Sequence, residues 1–263
     1  MLPGTPREGL AVTTPPTEAD FYTQSDVQLF PIGAQLRLNG SLYRYCCAGE
    51  AMAAPHFGFL KCSRTICPGA TGGGGFEGAL YADAAAGATE IQIADTATRA
   101  AHYYEDGLLV VMNDTYGYQQ YRIVDSDAAA ADDDHVHIYI ATPGLKRAHT
   151  TTGGTLGVYR SPWIDIRSML NGGNQSWFSA VGMAHLILSS GYFFWLQTAG
   201  YASGTGASTW PGQTAYRRTV YANTDGSLIS GDATVIYYQP VGYLLSGTAS
   251  DYGDVFFMMQ LDQ

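Results

Sequence analysis

From Met183 to its end the chain is a series of short apolar runs cut by turn residues. The runs are Met183–Ser189, Tyr192–Gln197, Thr214–Tyr221, Ala233–Tyr238, Val241–Leu245 and Val255–Leu261. Between them stand Ser190-Gly191, Asn223-Thr224-Asp225-Gly226, Ser230-Gly231-Asp232 and Asp251-Tyr252-Gly253-Asp254. Runs this short, rich in Val, Ile, Tyr, Phe and Trp and bounded by Gly, Asp and Asn, predict strands packed in a barrel or sandwich. No polar cluster interrupts them in the way a catalytic site would. The segment therefore reads as a repetitive, adhesive body suited to assembly.

The strongest local signal lies nearer the start. Gln35-Leu36-Arg37-Leu38 and Ser41-Leu42-Tyr43-Arg44-Tyr45 flank Asn39-Gly40. Two alternating stretches joined by Asn-Gly predict a type I′ hairpin. The leucines and tyrosines supply faces to bury, and Arg37 and Arg44 are expected outward. Residues 81–160 carry a second series of strand candidates: Glu90–Ile93, Leu108–Met112, Gln119–Val124, His135–Ile140 and Thr155–Tyr159. Ala97–Tyr104 reads as a short helix or turn.

The expected organisation is all-β. Residues 26–80 and 161–263 form a small barrel or sandwich, residues 81–160 are an inserted β module, and residues 1–25 are an extended N-terminal arm. Pro3, Pro6, Pro15 and Pro16 disfavour both helix and central strand in that arm. Either it is a disordered tail or it orders on a neighbouring subunit. The second reading is adopted.

Composition narrows the function classes. The 32 glycines and 19 tyrosines suit turns and strands better than helices. Only 14% of residues are charged, as expected where other chains cover much of the surface. The formal net charge of −10 comes with no basic stripe to neutralise phosphates, which argues against nucleic acid as a partner. Arg37, Arg44, Lys61, Arg64, Lys146, Arg147, Arg217 and Arg218 are scattered. No apolar stretch approaches a membrane span, and Met1–Glu8 lacks a basic segment followed by an apolar core. Synthesis and folding in a cytoplasm are expected.

Several residue groups invite a chemical reading. Cys62-x4-Cys67 with His56 is a weak zinc pattern; free buried thiols are the reading adopted, with a disulfide formed outside the cell as an alternative. Adjacent Cys46 and Cys47 point to opposite faces of a strand. The four glycines Gly72–Gly75 lack the Lys-Ser or Lys-Thr of a phosphate loop. Asp125, Asp127, Asp132, Asp133 and Asp134 have the wrong spacing for a calcium loop and read as a solvated hairpin loop. His135 and His137 share one strand face, where a third ligand would complete a metal site. Surface histidines are the plainer account, so no metal, cofactor or catalytic residue is expected. Tyr192–Trp195 and Trp210 suit a sugar-binding face, but in an alternating strand at least half must be core or subunit interface.

Several stretches resemble one protein family in their order. They are Phe30-Pro31-Ile32-Gly33 through Tyr43-Arg44-Tyr45-Cys46 to Ala48-Gly49, Tyr104-Glu105-Asp106-Gly107, and Tyr118-Gln119-Gln120-Tyr121-Arg122-Ile123. After these come Ser161-Pro162-Trp163, Gly191–Thr198, and Gln239-Pro240-Val241-Gly242 through Val255–Leu261. Across residues 28–263 this order resembles capsid decoration (cement) proteins of tailed, marine-type bacteriophages. The resemblance implies a small barrel bound to the outside of an icosahedral head, often as a homotrimer where major capsid subunits meet. It transfers no catalytic residue. An acidic protein suits the outer shell better than the DNA-facing interior. Lattice multivalency and selective binding to the expanded shell would stabilise the head. The residues expected at capsid or subunit contacts are Pro15, Pro16, Phe21 and Tyr22 of the arm and Tyr192, Phe193, Phe194 and Trp195. The rival reading is a tail or head-fibre protein that binds host carbohydrate; weaker ones are a tail-associated hydrolase and a shell subunit.

Overall fold

The computed structural model describes residues 16–52, 60–63, 74–113, 117–130, 132–152, 155–169, 179–207, 218–230, 238–246 and 254–262. The protein is all-β. Its strands run in chain order β1 (Gln35–Leu38), β2 (Ser41–Cys47), β3 (Leu60–Ser63), β4 (Phe76–Gly78), β5 (Glu90–Ile93), β6 (Leu108–Asn113), β7 (Gly117–Ser126) and β8 (Val136–Ile140). They continue as β9 (Thr155–Tyr159), β10 (Ile166–Ser168), β11 (Ser179–Met183), β12 (Phe193–Thr205), β13 (Thr219–Ala222), β14 (Leu228–Ser230), β15 (Pro240–Ser246) and β16 (Asp254–Gln260). The chain divides into two compact units: a body of residues 12–64 and 163–263, and a module of residues 65–162.

In the body one sheet runs β10-β3-β11-β12-β16-β15-β13-β14, and the β1–β2 hairpin branches from β12. Asn39 and Gly40 both have positive φ, 50° and 80°, the pairing that a type I′ turn demands. Strand β12 is the spine. Its first half pairs with β2 from Phe193↔Cys47 to Ala199↔Leu42; its second half pairs with β16 from Ala199↔Gln260 to Thr205↔Asp254. Gly200 stands at the changeover with φ +98°, and a Cβ there would lie 2.6 Å from the Ser41 Cα. Only glycine fits a left-handed backbone pressed this closely against another strand. The sheet curls into a half-barrel, because Gly206 bridges Leu228 and the Leu60 N–H donates to the Gly226 carbonyl at 2.8 Å. Leu60, Val220, Leu228, Val241, Val255 and Phe257 belong to the buried core of this curl.

The first half of β12 is buried on both faces. Phe194 packs with Cys46, Ile166 and Leu196, while Trp195 packs with Phe21, Ile32 and Tyr45. Two-sided burial explains the unbroken apolar run that starts at Tyr192. Cys46 and Cys47 fall in the two different clusters, as strand alternation requires. Arg44 is half-buried, bound to Asp262 at 2.5 Å and set over the Trp163 ring, so it does not point freely outward.

Residues 1–15 of the expected arm, including Pro15, lie outside the described residues. The part that follows belongs to the body. Glu18–Tyr22 forms a 3₁₀ turn closed by Asp20, whose carboxylate accepts from the Thr17 N–H at 2.5 Å and hydroxyl at 2.8 Å. Phe21 enters the core, and Ser25 pairs with Phe193.

The module is one antiparallel sheet, β4-β9-β6-β7-β8-β5, over a core that includes Ile91, Leu109, Ile123, Ile138 and Val158. It begins earlier than residue 81. β4 pairs with β9, and Leu80 joins the module's core. The glycine-rich stretch before β4 hides that strand in the sequence. In the body, only Met183 of the expected strand Met183–Ser189 is in a strand. Ala184 and Leu188 are buried instead from an irregular stretch, and Leu188 bridges Met52. Residues 233–237, and His56 and Cys67, lie outside the described residues. Among the described residues no helix is long and apolar enough to cross a membrane.

Candidate functional site

Of the residues expected at contacts, Phe21, Phe194 and Trp195 sit in the chain's own core, and Phe193 packs against it. Pro16 and Tyr192 are half-buried, and Tyr22 is 62% exposed. Buried rings have little area left to offer a partner. The exposed aromatics of this sheet lie further along, on the outer face of β12, β15 and β16.

There the alternation that buries Ala202, Leu244 and Phe257 turns Tyr201, Tyr243 and Phe256 outward, at 54%, 41% and 44% exposure. The register sets Met258 opposite both Tyr201 and Tyr243. Tyr201 and Phe256 stack with ring centroids 5.9 Å apart and an interplanar angle of 13°. Three strands thus carry a continuous aromatic and methionine ladder facing solvent. A patch of this kind on a sheet face is a candidate interaction surface.

The module has a second concave surface, a groove of about 560 Å³ on the outer face of β6, β7 and β9. The register places Leu108, Val110 and Met112 of β6 opposite Arg122, Gln120 and Tyr118 of β7. The β6 side chains make an apolar floor, and Gly157 opposite Val110 adds no side chain to it. The Tyr159 ring lies over Gly157, where an added Cβ would come within 3.1 Å of it. Tyr118, 75% exposed, rises at the rim, and Arg122 pairs with Asp106. An apolar floor with aromatic walls and a few polar groups suits a small organic ligand.

The aspartates read as one solvated loop are separated by the fold. Asp125 is buried in β7 and binds His102 Nδ1 at 2.6 Å, with Glu105 3.7 Å from the same nitrogen. His102, Glu105 and Asp125 converge closely enough to hold a cation. His102 adopts φ 65°, a left-handed conformation that was not legible in the sequence. A His–Asp pair is half of a general-base arrangement. Among the described residues, however, no hydroxyl or thiol bonds to its ring. Asp127 instead accepts from the Tyr139 hydroxyl at 2.9 Å, and Asp133 accepts from the Ala130 N–H at 2.5 Å.

His135 and His137 face each other on the outer surface of β8, with Nε2 atoms 3.1 Å apart. Asp134 lies 2.6 Å from one Nδ1 and Glu90 2.7 Å from the other. Cys46 and Cys62 are chemically quiet. Burial pushes the Cys46 thiol well up and the Cys62 thiol up to about 12, which disfavours the reactive thiolate. Cys46 and Cys62 are free thiols.

In comparisons with protein families, curated proteins and solved structures, no family model, no curated protein and no solved structure matches the chain.

Proposed function

We propose that this chain is a non-enzymatic structural protein of a tailed-phage virion, which binds the outer surface of the head and stabilises its lattice as a homotrimer. The observation that carries this reading is the exposed Tyr201–Met258–Tyr243–Phe256 ladder on a rigid sheet. Rigid aromatic side chains bury large areas at low entropic cost, as self-association and lattice contacts require. The low charge and the net charge of −10 fit an outer-shell position away from DNA. The major capsid protein is the expected partner. The test is the position and copy number of the chain in images of the virion. Hundreds of copies on the head agree with this reading; a few copies on the tail, or none, defeat it.

The module's groove favours a second reading, binding of host carbohydrate. Tyr118 and Tyr159 offer faces for sugar rings, and Gln120, Arg122 and Asp106 offer hydrogen bonds. A glycan array run with the wild type and with Tyr118→Ala decides it. Signals lost in the variant support the groove as a sugar site; a blank array on the wild type removes that reading.

A further inference from the structure

The His135–His137 pair carries the strongest chemical information outside the ladder and the groove. Both residues lie on the outer face of the β8 region, two apart, with Val136 turned into the core between them. Glu90 reaches His137 from the neighbouring strand β5, whose register sets Gln92 opposite His137. Asp134 is itself fixed. Its second oxygen accepts from the Tyr81 hydroxyl at 2.7 Å, and the Tyr81 ring stacks on His135 at 4.3 Å and 11°.

The proton positions follow from this arrangement. An ionised carboxylate only accepts, so each Nδ1 next to one must be the donor. With each Nδ1 hydrogen directed to a carboxylate, the two Nε2 atoms are the ring positions left to bind a cation, and they lie 3.1 Å apart. For a metal at about 2.0–2.1 Å from each nitrogen, tetrahedral coordination sets the two nitrogens about 3.3 Å apart. Histidine Nδ1–H held by a carboxylate is the usual outer support of a metal-binding imidazole. Here both histidines have it.

We propose that His135 Nε2 and His137 Nε2 bind one divalent transition-metal ion of the imidazole-preferring kind, Zn(II) foremost. Asp134 and Glu90 act as positioning residues through the two Nδ1 atoms. Imidazole ligands favour Zn(II), Cu(II) and Ni(II) over Mg(II) and Ca(II), which prefer oxygen. The two side chains are 27% and 29% exposed, so the ion has an entry path and its remaining coordination positions are open to water.

The test is isothermal titration of the full chain with ZnCl2, paired with NMR detection of the imidazole nitrogens. The expected result is one Zn(II) per site with the His135 and His137 Nε2 resonances shifted. Binding is lost in His135→Ala and in His137→Ala. It weakens about 10–100-fold in Asp134→Asn and in Glu90→Gln, with the Nε2 shifts retained. Thermal melts of the apo variants within a few degrees of the wild type show that the fold is kept. Three results overturn the proposal: no binding by the folded wild type, a shared proton alone between the two rings with no displacement by Zn(II), or binding that survives His135→Ala. The last would point instead to His102, Glu105 and Asp125.

Discussion

Replacing Lys61 by Met isolates the effect of one buried charge. Lys61 lies in β3 at 2% exposure, opposite Ser168 of β10 and Gly182 of β11. Burial lowers its ordinary value of 10.5 to about 8, against the smaller opposing pull of Cys62 and Glu50. Between pH 8 and 10.5 the unfolded chain therefore holds a proton that the folded chain has released. Stability rises with pH through that window, and below pH 8 the full penalty of the buried ammonium is present. The fall from 10.5 to about 8 corresponds to about 3 kcal/mol. Methionine keeps most of the volume of the lysine stem and carries no charge. It also removes the favourable contacts of the ammonium, so the net gain for Lys61→Met at pH 7 is about 1–3 kcal/mol. The gain shrinks toward zero as pH approaches 10.5. Urea unfolding followed by tryptophan fluorescence measures it. Trp163 and Trp195 belong to the body, the unit that contains Lys61, so their signal reports on it. A variant less stable than the wild type at pH 7, or a difference equal at pH 7 and pH 10, refutes the reasoning.

Gly200→Ala forces a Cβ against Ser41 at a left-handed position and should cost about 2–4 kcal/mol in urea unfolding; a cost under 1 would show that the β12 changeover is not tight. Asp95 is buried and accepts from Arg99 Nε at 2.8 Å and from the Tyr104 hydroxyl at 2.5 Å. Asp95→Asn leaves the Arg99 cation without its carboxylate and should cost about 3 kcal/mol in the module's thermal melt, followed by circular dichroism. Cys46 and Cys62 should resist iodoacetamide at pH 8 in the native protein and react in urea, as read by peptide mass mapping; rapid native labelling would contradict their burial.

The strands were most legible where one face is wet. Glu90–Ile93 alternates exposed and buried residues, and Asn-Gly announces the turn between β1 and β2. Legibility failed where small residues carry a strand. The second half of β12, Ala199–Thr205, reads as turn-like Gly, Ala and Ser, yet it pairs residue by residue with β16. β3 was missed because a buried lysine interrupts its apolar pattern. Phe21, Phe194 and Trp195, expected at contacts, lie inside the chain for a related reason. A run such as Tyr192–Trp195 looks adhesive, but β2 and β11 flank this half of β12 and the run fills two cores at once. Tyr201, Tyr243 and Phe256 are far apart in sequence, and only the β12-β16-β15 register brings them together. The histidine pair was visible as a spacing, whereas its carboxylate supports required the β5–β8 pairing and the Asp134–Tyr81 bond.

Sedimentation velocity of the full chain beside Tyr201→Ser/Phe256→Ser tests the central claim most directly. The proposed function predicts self-association of the wild type through the ladder at micromolar concentration, as a trimer. It predicts a folded monomer for the double variant, because each ring contributes about 1–2 kcal/mol of buried apolar area per contact. A wild type that stays monomeric, or a double variant that sediments as the same oligomer, would contradict the claim that this sheet face is built to join chains.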